Sequence, residues 1–304
     1  MARIAFLCLA HNNFDYLDEV ARYYCSDNDA FFLHVDSGVP DQNIKLTHPD
    51  IRLLPRSERF RTRWGTYDIV KATISLLKAA LNAGDFDRFV LVSGADMPLL
   101  TKSALKKRLT ADVSYFAQWR LLDYPQQKGS REFFKRHNYH IGWANPGEAY
   151  ASKSRFKIYR MLLINKLLSF IPLMATFTFD HYIKGSQWWV ITADLAKFFI
   201  EQLEDPKVAR QFANMHAPDE KTFHTLACNS PFNTKIDWSF EQSSLKQGLH
   251  YINWGIADGT GGLQAFKAEH IDTAKSLSCC FARKVNREDF DSLIPYIHQL
   301  IEDA

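Results

Sequence analysis

Three apolar runs in the first hundred residues end in polar side chains that could bind a ligand. His11 follows the run Arg3–Leu9, Asp36 ends the triplet His34-Val-Asp36, and Asp96 follows the run Phe89–Val92. If these runs are parallel strands, their carboxyl ends share one edge of a sheet, where ligands of such sheets bind. A carboxylate there can accept hydrogen bonds from the hydroxyls of a ribose or another sugar. For any one residue a turn-capping role is the more common explanation, but three at one edge favour a binding site.

Two groups of cationic side chains could bind phosphate. Arg59-Phe-Arg-Thr-Arg63 precedes Trp64-Gly65 and a predicted helix, and Arg283-Lys284 follows an apolar run. Arginine grips phosphate oxygens through two N–H groups, and a helix N-terminus adds a positive dipole. A solvated basic loop is the alternative for the first group. The second group follows a predicted buried strand, which is a poor place for ordinary surface charge and a good one for meeting a diphosphate.

An acidic turn could supply a general base. Pro218-Asp219-Glu220 opens a predicted helix whose apolar face is Phe223, Leu226 and Ala227. Acidic residues at a helix start commonly just stabilise the helix dipole. The alternative is that one carboxylate takes a proton from a reacting hydroxyl.

Several enzyme classes are disfavoured by missing motifs. The sequence has no HExxH, GxSxG, Walker loop or GxGxxG, which argues against zinc proteases, serine hydrolases, P-loop enzymes and dinucleotide-binding folds. Asp36 and Asp96 each stand alone. The D-x-D triplets that do occur are poorly placed for a metal, before strands or in the closing helix: Asp27-Asn-Asp29, Asp85-Phe-Asp87 and Asp289-Phe-Asp291. No metal site is predicted.

Composition indicates an ordinary globular chain. Of its 304 residues, 46% are apolar and 23% charged, and the net charge of +3 is too small to indicate nucleic-acid binding. Five cysteines without a CxxC spacing disfavour zinc sites and disulfide frameworks, so a reducing cytoplasm is expected. The run Ile4–Ala10 is too short for a signal peptide, and Met161–Phe177 is interrupted by polar residues and Pro172, so no membrane span is expected.

Strand and helix patterns alternate in the first half, which predicts an α/β protein with a mostly parallel sheet and helices on its faces. The predicted strands are Arg3–Leu9, Phe31–Val35, Ile51–Leu54, Phe89–Val92, Val113–Ala117, Trp188–Thr192 and Tyr251–Trp254. Helices are predicted from Asn12 or Asn13 to Tyr24, over 69–81 with a stop at Gly84, over Ala193–Gln202 and Asp219–Cys228, and from Arg287. No linker between two domains is visible.

Eight short segments along the chain together resemble glycosyltransferase family 14, the core-2/I-branching N-acetylglucosaminyltransferases and peptide O-xylosyltransferases. They cover about residues 4 to 285 in the family's order: Ala10-His-Asn-Asn with Leu17, His34-Val-Asp36, Trp64-Gly65, Ser93-Gly-Ala-Asp-Met-Pro98, Lys184-Gly-Ser-Gln-Trp188 with Thr192, Ala217-Pro-Asp-Glu220, Tyr251-Ile-Asn-Trp254 and Phe281-Ala-Arg-Lys284.

The resemblance implies a single GT-A-like, Rossmann-like domain over residues 1–304. About 1–118 would form the nucleotide-sugar half, and about 119–304 the acceptor and catalytic half. It also implies an inverting transfer, without a bound metal or other cofactor, from a UDP-sugar to an acceptor hydroxyl of an oligosaccharide, glycolipid or other glycan. N-acetylglucosamine and xylose are the sugars expected.

Residue roles follow from the same resemblance. Glu220 resembles the catalytic base. The expected nucleotide-sugar contacts are His11, Asp36, Arg59, Trp64, Asp96, Arg283 and Lys284, and the expected acceptor contacts are Lys135, Arg136, Trp188, Tyr251 and Trp254. Without a metal, fixed cations must stabilise the departing diphosphate. Two alternatives stay open: a metal-dependent transferase with Asp96 as ligand, and a non-catalytic carbohydrate-binding protein on a degenerate transferase fold, against which the intact Glu220 and Arg283-Lys284 argue.

The chain departs from the family in two respects. Where the family has a further phosphate-contacting arginine, this sequence reads Gly259-Thr-Gly-Gly-Leu-Gln264, with no cation until Lys267. Either Lys267 or a member of Arg59–Arg63 substitutes, or the diphosphate is held differently. The membrane anchor and disulfide cysteines of the animal members are also missing, which suits a bacterial-type enzyme of surface polysaccharide or lipid-linked oligosaccharide synthesis.

The segment Ser154–Met174 mixes basic and apolar residues. Its cations are Arg155, Lys157, Arg160 and Lys166, and they alternate with Phe156, Ile158, Tyr159, Leu162, Leu163, Leu167, Leu168 and Ile171. Such a pattern fits either a buried helix with solvated lysines or a helix lying on an anionic membrane. In the second case the enzyme would be peripheral at the inner face of the membrane.

Overall fold

The computed structural model describes residues 2–123, 154–168, 178–213, 215, 217–240, 245–255 and 262–303. The strands along the chain are β1 Ile4–Ala10, β2 Ala30–Val35, β3 Ile51–Leu53, β4 Arg88–Ser93, β5 Asp96–Pro98, β6 Ser114–Asp123, β7 His181–Gly185, β8 Val190–Thr192, β9 Ile236–Phe240, β10 Lys246–Gln247, β11 His250–Ile252 and β12 Phe281–Arg283. The α-helices are α1 Phe14–Tyr24, α2 Asp68–Ala83, α3 Lys102–Arg108, α4 Arg155–Leu168, α5 Ala193–Glu204, α6 Pro206–Ala213, α7 Thr222–Cys228, α8 Ile271–Ser276 and α9 Phe290–Glu302.

The larger sheet has the order β3-β2-β1-β4-β8-β6-β7, with β9 paired to β6. Strands β1 to β4 are mutually parallel, and β9 is parallel to β6. Strand β8 is antiparallel to β4 and β6, as β7 is to β6. The predicted α/β class with a mostly parallel sheet is confirmed. Strand β6 runs across the boundary that the sequence predicted near residue 118.

Strand β1 is apolar at nearly every position because both faces of the sheet are covered. Its side chains alternate between two hydrophobic cores: Ile4 and Phe6 lie in one, Ala5 and Leu7 in the other. The first core is completed by α1 and α9. The second is completed by α2, α5 and α7. Helices therefore pack on both faces, as predicted.

A second sheet, β10-β11-β12-β5, joins the end of the chain to the segment after β4. Strand β12 runs antiparallel to β5, and this register sets Arg283 opposite Asp96. Strand β11 runs parallel to β12, with Ile252 opposite Arg283. Residues from three distant stretches of sequence are thereby placed side by side.

Some element boundaries differ from the predicted ones. The helix predicted over Asp219–Cys228 is a 3₁₀ turn at Pro218–Glu220 followed by α7, because the backbone at Lys221 (φ −132°, ψ −44°) leaves the helical region. The closing helix α9 likewise starts at Phe290, after a 3₁₀ turn. The strand predicted over Trp188–Thr192 is shorter, Val190–Thr192. Gly84 ends α2, as predicted.

Candidate active site

The carboxyl ends of β1, β2 and β4 meet at one edge of the sheet, as the sequence predicted. Ala10 pairs with Val35, and Leu9 pairs with Ser93. His11 is an exposed residue just beyond β1. Asp36 and Asp96 follow β2 and β4, so these three candidates lie at the ends of neighbouring strands.

Asp36 anchors the arginine-rich segment 59–63. The Thr62 backbone N–H and hydroxyl both donate to Asp36 Oδ2 at 2.6 Å, and the Gly38 N–H donates to Oδ1 at 2.7 Å. Burial opposes ionisation of Asp36, but these hydrogen bonds outweigh it and hold its pKa below the usual value. Nearby, burial lowers the pKa of His34 to about 4, so its neutral ring accepts from the Phe60 N–H at 2.8 Å.

Arg59 is buried with part of its hydrogen-bonding capacity unused. Its side chain is 3% exposed, and Nη2 lies 2.5 Å from Asp41 Oδ1. Nε and Nη1 are buried without a hydrogen-bond partner among the described residues. Buried donors are almost always satisfied, so a water or an acceptor group of a ligand could supply the partners of these two donors. The adjacent Trp64 is 60% exposed.

Arg283 is held between a carboxylate and an indole ring. Its Nη1 lies 3.4 Å from Asp96 Oδ1, and its Cζ lies 3.9 Å from the centre of the Trp188 ring. Asp96 is fully buried and accepts from the Ser93 N–H and hydroxyl at 2.8 and 2.7 Å. Burial raises the pKa of Asp96, although Arg283 and Ser93 oppose the rise. Lys284, the next residue, is exposed.

Asp96 and Trp188, two predicted ligand contacts, are buried beside Arg283. Asp96 is 0% exposed and Trp188 is 8% exposed, and both contact the guanidinium of Arg283. They support the cation instead of facing a cleft. Among the described residues no group of three His, Cys, Asp or Glu side chains is arranged to hold a metal.

Glu220 lies in the 3₁₀ turn before α7 and pairs with Lys184. Lys184 Nζ is 3.1 Å from Glu220 Oε2, and the two side chains are 26% and 21% exposed. The turn is tied to the Trp64-Gly65 segment, because the Ala217 N–H donates to the Gly65 carbonyl at 3.1 Å. Glu220 is therefore a partly exposed carboxylate with a fixed cationic neighbour.

The residues on either side of Glu220 are buried, and burial shifts their pKa values. Burial, reinforced by the charge of Glu220, raises the pKa of Asp219 to about 7. Burial lowers the pKa of Lys221 to about 8, although Glu220 and Asp219 oppose this. Opposed pKa shifts of this kind cluster at functional sites, although structural ion pairs produce them too.

Trp119 lies against Lys184, and Trp254 packs against Trp119. Trp119, on β6, has its ring centre 5.2 Å from Lys184 Nζ and 5.8 Å from the ring of Trp254, which stands perpendicular to it. The Trp119 indole N–H donates to Gln247 Oε1 at 2.5 Å, whereas the Trp254 Nε1 is buried without a partner in the described part of the chain. Sequence reasoning missed Trp119, because the predicted strand stopped at Ala117; extending the strand by two residues would have included it.

The segment Lys184–Trp188 connects the base candidate to the cation. Lys184 contacts Glu220, and Trp188 contacts Arg283. Consecutive Cα atoms are 3.8 Å apart, so the Cα atoms of these two residues are at most about 15 Å apart. Glu220 and Arg283 therefore contact residues at the two ends of one five-residue segment.

Tyr251, a predicted acceptor contact, is 3% exposed and packs against the rings of Phe266 and His270 in the core. Lys135 and Arg136 lie outside the described residues. Two cavities of about 480 and 420 Å³ open at the amino ends of the parallel strands, away from the edge that carries the candidates.

The model of the family described as Core-2/I-Branching enzyme matches residues 4–293. No curated protein matches the chain significantly.

Three solved structures resemble the chain weakly. An active-site mutant of LgtC has 11% identity and a TM-score of 0.42, and the match covers 98% of this chain and 94% of the LgtC chain. The galactosyltransferase LgtC in complex with donor and acceptor sugar analogs has 10% identity and a TM-score of 0.41, covering 99% and 95%. The bifunctional glycosyltransferase WbbM has 10% identity and a TM-score of 0.36, covering 99% and 52%.

Proposed function

The chain belongs to the core-2/I-branching enzyme family and is a glycosyltransferase, and from this premise we propose that it transfers a sugar from a UDP-sugar to an acceptor hydroxyl with inversion and without a metal. N-acetylglucosamine or xylose is the proposed sugar. The proposed setting is the synthesis of a bacterial-type surface polysaccharide or glycolipid in the cytoplasm.

One observation carries the proposal: the segment Lys184–Trp188 reaches from Glu220 to Arg283. Glycosyl transfer needs a base at the acceptor hydroxyl and positive charge at the departing diphosphate. Glu220 is exposed enough to meet a hydroxyl, and Arg283 is held in place by Asp96 and Trp188 before any ligand binds. A preorganised cation avoids reorganisation during the reaction.

In the proposed reaction Glu220 takes the proton of the acceptor hydroxyl. The hydroxyl oxygen attacks the anomeric carbon from the face opposite UDP, and the bond from that carbon to the diphosphate oxygen breaks with its electron pair leaving on UDP. Arg283 and Lys284 stabilise the charge that accumulates there. The products are the inverted glycoside, UDP and a protonated Glu220 that returns its proton to solvent.

Arg59 is the proposed substitute for the family's missing arginine. Lys267 is another of the candidates, but it is an exposed residue, whereas Arg59 is buried and keeps Nε and Nη1 without partners among the described residues. A buried, partly unsatisfied guanidinium gains more from an anionic or carbonyl ligand than a solvated lysine does. Asp36 and His34 hold the segment that carries it.

Helix α4 is the proposed membrane contact. Phe156, Tyr159, Leu163 and Leu167 follow one another at helical spacing and are 73%, 68%, 45% and 59% exposed. Arg155, Lys157 and Arg160 are exposed beside them, and the helix carries no acidic residue. These exposures favour a membrane contact over a buried helix. An apolar stripe flanked by cations suits an anionic bilayer surface and a lipid-linked acceptor. No helix in the described part of the chain is long and apolar enough to cross a membrane.

A panel of nucleotide sugars tests the function directly. UDP and the true donor should raise the melting temperature, because a ligand that binds only the folded state stabilises it. The donor should also release UDP in the presence of acceptor. Stabilisation by free glycans with no UDP release from any donor would favour the non-catalytic carbohydrate-binding alternative.

A further inference from the structure

Lys184 makes two contacts that together fix its ammonium group. Nζ lies 3.1 Å from Glu220 Oε2 and 5.2 Å from the centre of the Trp119 ring. An exposed lysine–glutamate pair is usually held loosely and contributes little to stability. This one is only about a quarter exposed, and an aromatic ring restrains the lysine on a second side.

The backbone that carries Lys184 is also fixed. The next residue, Gly185, presses β7 so closely against its neighbours that a Cβ there would lie 1.8 Å from the Ala117 carbonyl oxygen and 2.6 Å from the His224 ring. No side chain fits at that position, so Gly185 lets β7 approach β6 and α7 to this distance. This packing fixes the backbone position of Lys184 opposite the turn that bears Glu220.

Lys184 is one of four titratable groups around Glu220 in the described part of the chain. Asp219 and Lys221 flank it on its own segment and are both buried, and the buried Tyr182 lies two residues before Lys184 on β7. The Asp219 Oδ1 has no hydrogen-bond partner among the described residues. Lys184 is the cation whose contact with the Glu220 carboxylate is direct.

We propose that Lys184 is a positioning residue for Glu220: it occupies Oε2 and leaves Oε1 to accept the proton of the acceptor hydroxyl. Trp119 holds Lys184 in that place. This proposal rests on the proposed function, since it assigns Lys184 a part in the same proton transfer.

The first test compares Lys184→Met with Lys184→Arg in the full chain. Without the ammonium group the carboxylate is protonated more readily, so the acidic limb of the pH profile of kcat/KM for the acceptor should move to higher pH. A move of one pH unit lowers activity about tenfold on that limb. Lys184→Arg should restore the profile, because guanidinium keeps the charge. The dissociation constant for UDP should not change in either variant.

Lys78→Met is the matched control, because Lys78 Nζ lies 2.6 Å from Glu204 Oε1 in an exposed pair of the same residue types. Its pH profile should equal that of the wild type. An unmoved acidic limb in Lys184→Met would overturn the proposal, as would a shift that Lys184→Arg fails to reverse.

A second measurement separates this proposal from the proposed function. The glutamate carboxyl carbons are labelled with ¹³C and titrated by NMR in wild type and Lys184→Met, with Glu220→Gln assigning the resonance. The Glu220 midpoint should move to higher pH in Lys184→Met, and an unchanged midpoint rejects the ion-pair role. This readout needs no turnover, so a wild type that releases no UDP would reject the proposed function while the titration still decides on Lys184.

Discussion

Glu220 and Arg283 differ in how the chain holds them. Glu220 sits on a short turn, partly open to solvent, with Lys184 beside it. Arg283 is 11% exposed and is restrained by Asp96 and Trp188. The difference suits the proposed roles, because a base must meet an incoming hydroxyl whereas a phosphate-binding cation acts best from a fixed position.

Replacing the Glu220 carboxylate by an amide should isolate its proton-transfer role. We expect Glu220→Gln to keep the fold and UDP affinity and to lower kcat by ~100-fold or more, the usual scale for loss of a general base. Steady-state kinetics and UDP titration measure the two effects. Turnover near that of wild type would transfer the assignment to Asp219, whose Asn variant is the next to examine.

Lys284→Ala should weaken UDP binding and slow transfer, because it removes one of two cations proposed to face the diphosphate. Wild-type activity should be unaffected by EDTA. Lys275→Ala, which removes another exposed lysine of the C-terminal region, is the control and should leave UDP affinity unchanged. Activity that EDTA abolishes and manganese restores would instead support the metal-dependent alternative.

At the scale of elements, strand register decides which side chains meet. Pairing of β12 with β5 sets Arg283 opposite Asp96, and pairing of β11 with β12 sets Ile252 opposite Arg283. A shift of one residue in either pair would turn Arg283 to the other face of the small sheet. The elements that keep these strands in register therefore affect the geometry of the site, although they carry none of its residues.

Helix α3 is docked to the start of β2 by a buried ion pair whose loss should be costly. Lys102 Nζ lies 3.1 Å from Asp29 Oδ2, and the two side chains are 1% and 0% exposed. Removing one partner of a buried pair leaves an uncompensated charge, so Asp29→Asn should lower the free energy of unfolding by roughly 3–5 kcal/mol.

Asp112→Asn provides the matched comparison for this prediction. Asp112 lies 2.6 Å from Lys235 Nζ, and both side chains of this ion pair are more than half exposed. Loss of the ion pair should leave the melting temperature nearly unchanged. Chemical denaturation of both variants measures the difference. Equal, small effects would show that the Lys102–Asp29 pair adds little to stability.

At the scale of the whole molecule, α4 carries a surface that the catalytic proposal does not need. Its exposed apolar side chains and cations should bind anionic vesicles and not neutral ones, with binding that fades as salt rises, since each cation near an anionic surface adds about 1 kcal/mol. Co-sedimentation with both kinds of vesicle at low and high salt measures this. A double variant, Phe156→Ser with Tyr159→Ser, should abolish pelleting while keeping UDP affinity. Equal, negligible pelleting of the wild type with both kinds would remove the membrane from the proposed function.

The sequence by itself determined the elements and the edge at which they present polar groups. Apolar runs and helical periodicity predicted β1, β2, β4, α2 and α5 closely, because these patterns depend on neighbours a few residues away. The positions of His11 and Asp36 followed from where those runs end. Local pattern left alternatives open for Glu220 and Arg283, and the resemblance to a known family then favoured the catalytic base and the diphosphate contact as their expected roles.

Only the tertiary structure decided what those residues face. The fold buries three predicted ligand contacts: Asp96, Trp188 and Tyr251. It also sets Trp119 against Trp254 and Lys184 against Glu220, two contacts that the predicted elements did not indicate. Each outcome depends on contacts between segments far apart in the chain. Such contacts are fixed by strand register and core packing, which a one-dimensional pattern does not encode.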